Sequence, residues 1–483
     1  MPLSEDEEDT LKRLWSALNR EQQKYKRLDG YYEGTRKLSQ LGLAVPPALE
    51  AFTVMVNWPR ITVDSIEQRC DVEGFRLPGV ETANDELWGI WQASDLDEES
   101  QMGHLDALAL GRAYVCVGTR EDDEAAAGVP LITVESAKYI IHENDQFGRR
   151  LTAALRRPPV SAAHPTASAT LYLPDVTVWL ERDSSRGWIE LDRDEHGLGS
   201  VPVVPIVNRS RLDDRMGVSE MADVIDLTDA ACRALTDVQV ATEVLAVPQR
   251  YVMGASPKDF VDANGEPLTA WETYFGAVWA LQNGEARVGQ FSAADLQNFE
   301  RMVNLYANLA SGLSGLPTRF YGQYTTNPPS EGSIVADETR LIMNAYRKHR
   351  AFGGAWERVM RVARRIMDGG WDPALSRLET LWRNPETPTR AQQADATVKL
   401  VQANILPVEA AWEDLGYSAT RRAQLRRMRE EQLAADPLTA AAGAFRTPPA
   451  EPPVDVGPAA PPVATSDLTE RMDDLDWGLF GSG

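Results

Sequence analysis

Apolar positions change their period along this chain, and each change marks a region. From Glu5 to Leu38 the residues Leu11, Leu14, Trp15, Leu18, Tyr25 and Leu28 recur at three- and four-residue spacings, which predicts a surface helix ending near Gly30 and Gly34. Similar spacing predicts helices near Val54 to Cys70, running into VEGFR, and over Glu86 to Leu110. From Gly111 the texture turns to β-branched and aromatic runs bounded by Gly, Pro and Asp: AYVCVG, LITV, KYIIHE, TLYL, VTVWLE and GWIELD. These predict an antiparallel sheet region ending near Asp192. GSVPVVPIVNR follows, and its two prolines suit an edge strand because proline has no N–H to give a central ladder.

Ser219 can cap a long helix that runs without Gly or Pro to Pro248, with Ala230, Ala231, Ala234 and Ala241 offering faces for close helix packing. Residues 249 to 291 read as a compact insertion with strand-like QRYVMG, AVWAL and ARVGQF and turns at Asn264-Gly265 and Asn283-Gly284. Ser292 and Asp295 then start a helix whose stripe is Leu296, Phe299, Val303, Tyr306 and Leu309 or Ala310. A Gly-, Pro-, Asn- and Tyr-rich loop separates it from a very long helix, Ile334 to Met367, in which Gly353-Gly354 predicts a kink. Shorter helices are expected from Arg390 to Leu433. Beyond Ala434, seven prolines between Pro448 and Pro462 predict an extended, disordered tail, with Leu468, Met472, Leu475 and Leu479 as a short amphipathic piece.

Composition narrows the function. The chain has 483 residues, 43% of them hydrophobic and 25% charged, as in a folded protein of several packed units. Its 72 acidic residues exceed its 49 basic ones, a balance that disfavours tight, sequence-specific DNA binding. It permits a wall along which a duplex slides. No run is long and apolar enough to span a bilayer, and the acidic start MPLSEDEEDT is unlike a secretory signal, so a cytoplasmic protein is expected. Cys70, Cys116 and Cys232 lie far apart and read as buried free thiols. The five histidines show no metal spacing, and Trp15, Trp88, Trp91 and Trp356 read mainly as core.

Each catalytic near miss fails at the residue that would do the chemistry. Gly284 to Gly289 has P-loop glycine spacing, but Gln290-Phe291 stand where lysine and a hydroxyl are needed. DRDEHG at Asp192 to Gly197 opens like a calcium loop, yet its twelfth position is Val203. Gly312 to Gly315 reads as a helix stop, not a nucleophile elbow. The expectation is no enzyme, no metal and no cofactor.

The order of elements resembles the portal proteins of tailed double-stranded-DNA phages. The segments YYEGTRKL, NWPRITVDSIEQRCDVEGFR, LDEESQMGHLDALALGRAYVCVG, VPVVPIVNRSR with GVSEMADVIDLTDAACRALTD, and NPPSEGSIVADETRLIMNAYRKHRAFGGAWERVMRVA resemble the siphophage portal family, over about residues 25 to 367. The resemblance implies an α+β, mainly helical portal fold: a wing from residues 1–217 with the long helix of 334–385, and stem helices 218–247 and 292–316. It further implies a clip at 248–291, a channel loop at 317–333, a crown at 386–434 and the disordered tail 435–483. It implies a homo-oligomeric ring, a dodecamer, at the capsid portal vertex of the virion, assembled in the host cytoplasm for DNA packaging and ejection. The implied partners are double-stranded DNA, the terminase large subunit, the head-tail adaptor, and the major capsid and scaffolding proteins. A capsid scaffold, a head-tail adaptor and an acidic hydrolase are the competing readings.

Within the implied channel loop, Thr318 to Pro329 holds Arg319, Tyr321, Gln323, Tyr324 and Asn327 but no acid. Amides and phenols there are expected to make weak, exchangeable bonds to phosphates, with Arg319 adding one charge.

Overall fold

The computed structural model describes residues 3–35, 54–80, 83–120, 128–148, 150–160, 166–183, 185, 187–245, 250–254, 287–290, 297–323, 331–386, 390–415, 417, 421–422 and 424–429. The chain separates into two compact units, Met1–Thr387 and Pro388–Gly483.

The first unit opens with α1 (Glu5–Tyr32), started by a capping box in which Ser4 Oγ accepts the Glu7 N–H and the Glu7 carboxylate accepts the Ser4 N–H. The predicted stripe is buried in two directions. Leu11, Leu14 and Leu18 share a core with Ile141, Leu155, Leu171 and Val178, whereas Tyr25, Leu28 and Tyr31 enter a second, larger core. Next come α2 (Trp58–Glu67) and β1 (Val72–Arg76). The predicted third helix is two, α3 (Asp85–Gln92) and α4 (Leu96–Leu110), parted where Asp95 takes a left-handed φ of 51°.

The strand-rich stretch supplies β2 (Arg112–Gly118), β3 (Leu131–Ser136), β4 (Ile140–Asn144), β5 (Leu151–Arg156), β6 (Ser168–Tyr172), β7 (Thr177–Asp183), β8 (Gly187–Asp194) and β9 (Val203–Val207). They form two antiparallel sheets. One is a meander, β4-β5-β6-β7-β8; the other has the order β3-β2-β9 and puts β9, with Pro205, on the edge that its prolines predict. Alternation in β7 buries Val178 and Leu180 and turns Trp179 outward.

The helix expected from Ser219 begins as a 3-10 turn, Glu220–Asp223, capped by the Ser219 hydroxyl, before α5 (Ile225–Leu245). β10 (Arg250–Met253) and β11 (Arg287–Gln290) pair antiparallel, and α6 (Gln297–Ser314) returns. Gly315, at φ +77°, ends α6 as the helix-stop reading requires. A 3-10 turn, Thr318–Tyr321, leads toward α7 (Glu331–Asp368), which is helical through Gly353-Gly354. Gly353 has a packing reason. A Cβ there would lie 3.1 Å from Trp382 Nε1 and 3.4 Å from Thr380 Cβ, so the glycine admits β12 (Glu379–Trp382), which pairs with β1.

The second unit contains α8 (Arg390–Gln402) and α9 (Val408–Asp414), with further helical residues at 424–429. The AVWAL piece, both Asn-Gly turns, the Ser292 cap, Tyr324, Asn327 and the tail lie outside the described residues. Cys70, Cys116 and Cys232 are free and buried, and burial pushes the Cys116 thiol up to about 12. Trp91 and Trp356 meet edge to face in the larger core, where Trp356 Nε1 donates to His104 Nε2 at 2.8 Å. Burial pushes that imidazole down to about 3, so it stays a neutral acceptor.

Candidate functional site

The loop between α6 and α7 is held at its base by three kinds of contact. Leu316 is buried against the larger core, and the Ser311 hydroxyl donates to its carbonyl at 2.6 Å. The 3-10 turn that follows points Tyr321 inward, edge to face with Trp58 at 5.5 Å between ring centroids. Its hydroxyl donates to Ser314 Oγ at 2.7 Å and lies 3.1 Å from Thr62 Oγ1. Arg319 completes the base from the other side. Its guanidinium pairs with Asp337 at 2.9 Å and with Glu338 on the first turns of α7, and Glu338 also meets Arg69 at 3.4 Å.

These positions revise the expectation for two of the five loop residues. Tyr321 is 5% exposed in a single copy, and assembly can only remove more surface, so its phenol is a packing group and not a DNA-facing one. The Arg319 charge is balanced by two carboxylates instead of standing free for phosphate. The Gln323 amide donates to the Asn304 carbonyl at 2.8 Å in an exposed bond.

A second feature is the face of α6, which carries two apolar stripes. Val303, Tyr306, Ala307 and Ala310 turn inward, and the alanines let α6 approach α5, whose Ala231 and Ala234 are likewise buried. Met302, Leu305, Leu309 and Leu313 recur at three- and four-residue spacing on the adjoining side, where Leu305 is 54% and Leu313 57% exposed. The sequence pattern left Leu309 and Ala310 as alternatives for the packed position; the structure takes Ala310. Ile334, Val335, Met343 and Tyr346 on α7 are exposed as well.

A third feature fixes α7 to the strand layer. Lys348 Nζ, buried, donates to Asn208 Oδ1 at 2.6 Å and to Glu220 Oε2 at 2.7 Å, while Asn344 Nδ2 donates to Glu220 Oε1 at 3.1 Å. Burial alone would raise the Glu220 carboxyl, but the Lys348 charge and these hydrogen bonds hold it below its usual range. The cluster draws its members from VPVVPIVNRSR, GVSEM and MNAYRKHR, three of the segments that carry the portal resemblance.

Known proteins resemble this chain over most of its sequence. The chain is similar to the portal protein of Mycobacterium phage D29, 38% identical over 428 residues that cover 87% of this chain and 88% of the relative. It is equally similar to the portal protein of Mycobacterium phage L5, 38% identical over 413 residues covering 84% of each. A phage structural subunit is thus the class that the likeness defines. The chain belongs to the family described as phage portal protein, SPP1 Gp6-like, whose model matches residues 11–438. Among the described residues no helix is long and apolar enough to cross a membrane.

Proposed function

We propose that copies of this chain close into a ring of about twelve at one vertex of the capsid, through which double-stranded DNA is packaged and ejected. The exposed stripe Met302, Leu305, Leu309 and Leu313 carries this reading. Large side chains left on the outside of a helix whose small side chains face in need another surface, and a heterologous contact with the next copy supplies it. In this reading residues 1–217 and 334–385 form the wing, 218–247 and 292–316 the stem, 248–291 the clip and 386–434 the crown. Gln323, Tyr324 and Asn327 face the duplex, and Arg319 and Tyr321 anchor the loop that presents them. The terminase large subunit, the head-tail adaptor, the major capsid protein and the scaffolding protein dock on the ring. Assembly takes place in the host cytoplasm, and the chain performs no catalysis of its own.

The test is Leu305→Glu with Leu309→Glu. Light scattering and negative-stain microscopy should show rings for the native chain and monomers of unchanged circular dichroism for the variant. Rings of normal size from the variant would remove α6 from the subunit contact.

A further inference from the structure

Between the β4–β5 hairpin, β9 and the C-terminal half of α7 lies a cavity of about 720 Å³, a size typical of small-ligand sites. Arg150, Arg215, Arg358 and Arg361 line it, and no aspartate or glutamate does. In a chain of 72 acids and 49 bases this reverses the prevailing sign. Other arginines of the same unit, such as Arg69, Arg193, Arg319 and Arg364, sit against carboxylates, but no ion pair among the described residues engages these four.

The neighbouring groups neutralise the cluster only in part. Arg358 and Arg361 are three residues apart on one face of α7, where like charges repel. Glu357 adjoins them in sequence and its charge is felt by both, but it does not line the cavity and makes no ion pair with them; its carboxylate accepts the Thr380 N–H at 3.4 Å on the β12 side. His142 contributes no charge: burial and then the Arg112 charge push it down to about 3, and its Nδ1 lies 2.9 Å from the Tyr114 hydroxyl. Arg215 Nε is shielded from solvent without a hydrogen-bond partner. The chain makes room for that side chain with Gly148, at φ +63°, where a Cβ would come within 2.9 Å of Arg215 Cδ.

We propose that this cavity binds phosphate groups, with the guanidinium forks taking phosphoryl oxygens in pairs. The phosphates come either from a free polyphosphate or from a nucleic-acid backbone. An extended acidic peptide is disfavoured because Pro205, on the β9 wall, has no N–H for strand addition.

The full-length protein is titrated calorimetrically, at constant ionic strength, with pyrophosphate, a short DNA duplex and an oligoglutamate. The variants are Arg358→Gln with Arg361→Gln, and separately Arg150→Gln, whose exposed side chain leaves the core intact. Pyrophosphate is expected to bind the native chain about tenfold more tightly than the double variant, with Arg150→Gln weakened about threefold. A duplex that displaces pyrophosphate, with the same dependence on the arginines, identifies a nucleic-acid source; pyrophosphate binding that the duplex does not disturb identifies a free one. Equal affinity of the native chain and Arg150→Gln overturns the proposal even if the double variant fails to fold. So does oligoglutamate binding tighter than both phosphate ligands.

Discussion

At Tyr321 a phenol that suits a DNA-facing loop instead closes the junction of α2, α6 and the loop base. Tyr321→Phe leaves Ser314 Oγ and Thr62 Oγ1 short of a partner and should lower unfolding stability by about 1–2 kcal/mol in urea. Tyr321→Asp would bury a charge, so loss of soluble folded protein is expected in place of a packaging defect. Glu67 offers a pH-dependent counterpart. Burial, then the Asp71 and Asp64 charges, push its carboxyl from 4.5 up to about 7. The folded chain therefore holds a proton that the unfolded chain releases, and stability declines as pH rises from 4.5 to about 7. Glu67→Gln should exceed the native protein in stability by about 1 kcal/mol at pH 8, with the gap closing near pH 4 in paired urea titrations. Glu7 has the opposite sign. Its hydrogen bonds to Arg193 lower it to about 2, so that contribution is full above 4.5 and fades on acidification toward 2.

Among the elements, α7 separates helix propensity from packing most clearly. Alanine at position 353 should favour an isolated helix by about 1 kcal/mol, yet its Cβ would press on Trp382 and Thr380. Gly353→Ala is expected to destabilise the fold by about 1–3 kcal/mol net, with a lower urea midpoint at unchanged slope. Sequence periodicity found the long helices and most of the strands because each repeats one pattern over many residues. It missed the strand character of β1 and β12, which span five and four residues and acquire it only from one another. It did not find why position 353 is glycine, because the partner that fills the space beside Gly353 lies in another part of the chain. For α6 it reported one apolar face where there are two, since a three-four pattern cannot say which stripe is buried within this chain and which stays exposed. Of the loop, the composition was legible; the inward turn of Tyr321 depends on Trp58 and Thr62, more than 250 positions earlier.

For the molecule as a whole, the boundary after Ala434 gives a direct test. Deleting everything beyond it should leave ring assembly unchanged by light scattering, since α5, α6 and α7 stay intact; monomers from the truncated chain would place part of the assembly surface in the tail. The β1–β12 pair has a consequence for how a cell makes the protein. Arg76 and Glu379, which bond across that pair, are 303 positions apart. A ribosome adding roughly 5–20 residues per second needs on the order of 15–60 s between them, during which β1 has no partner strand and the core around Phe75 stays open. The core around Phe75 thus closes late, only when most of the chain has left the ribosome.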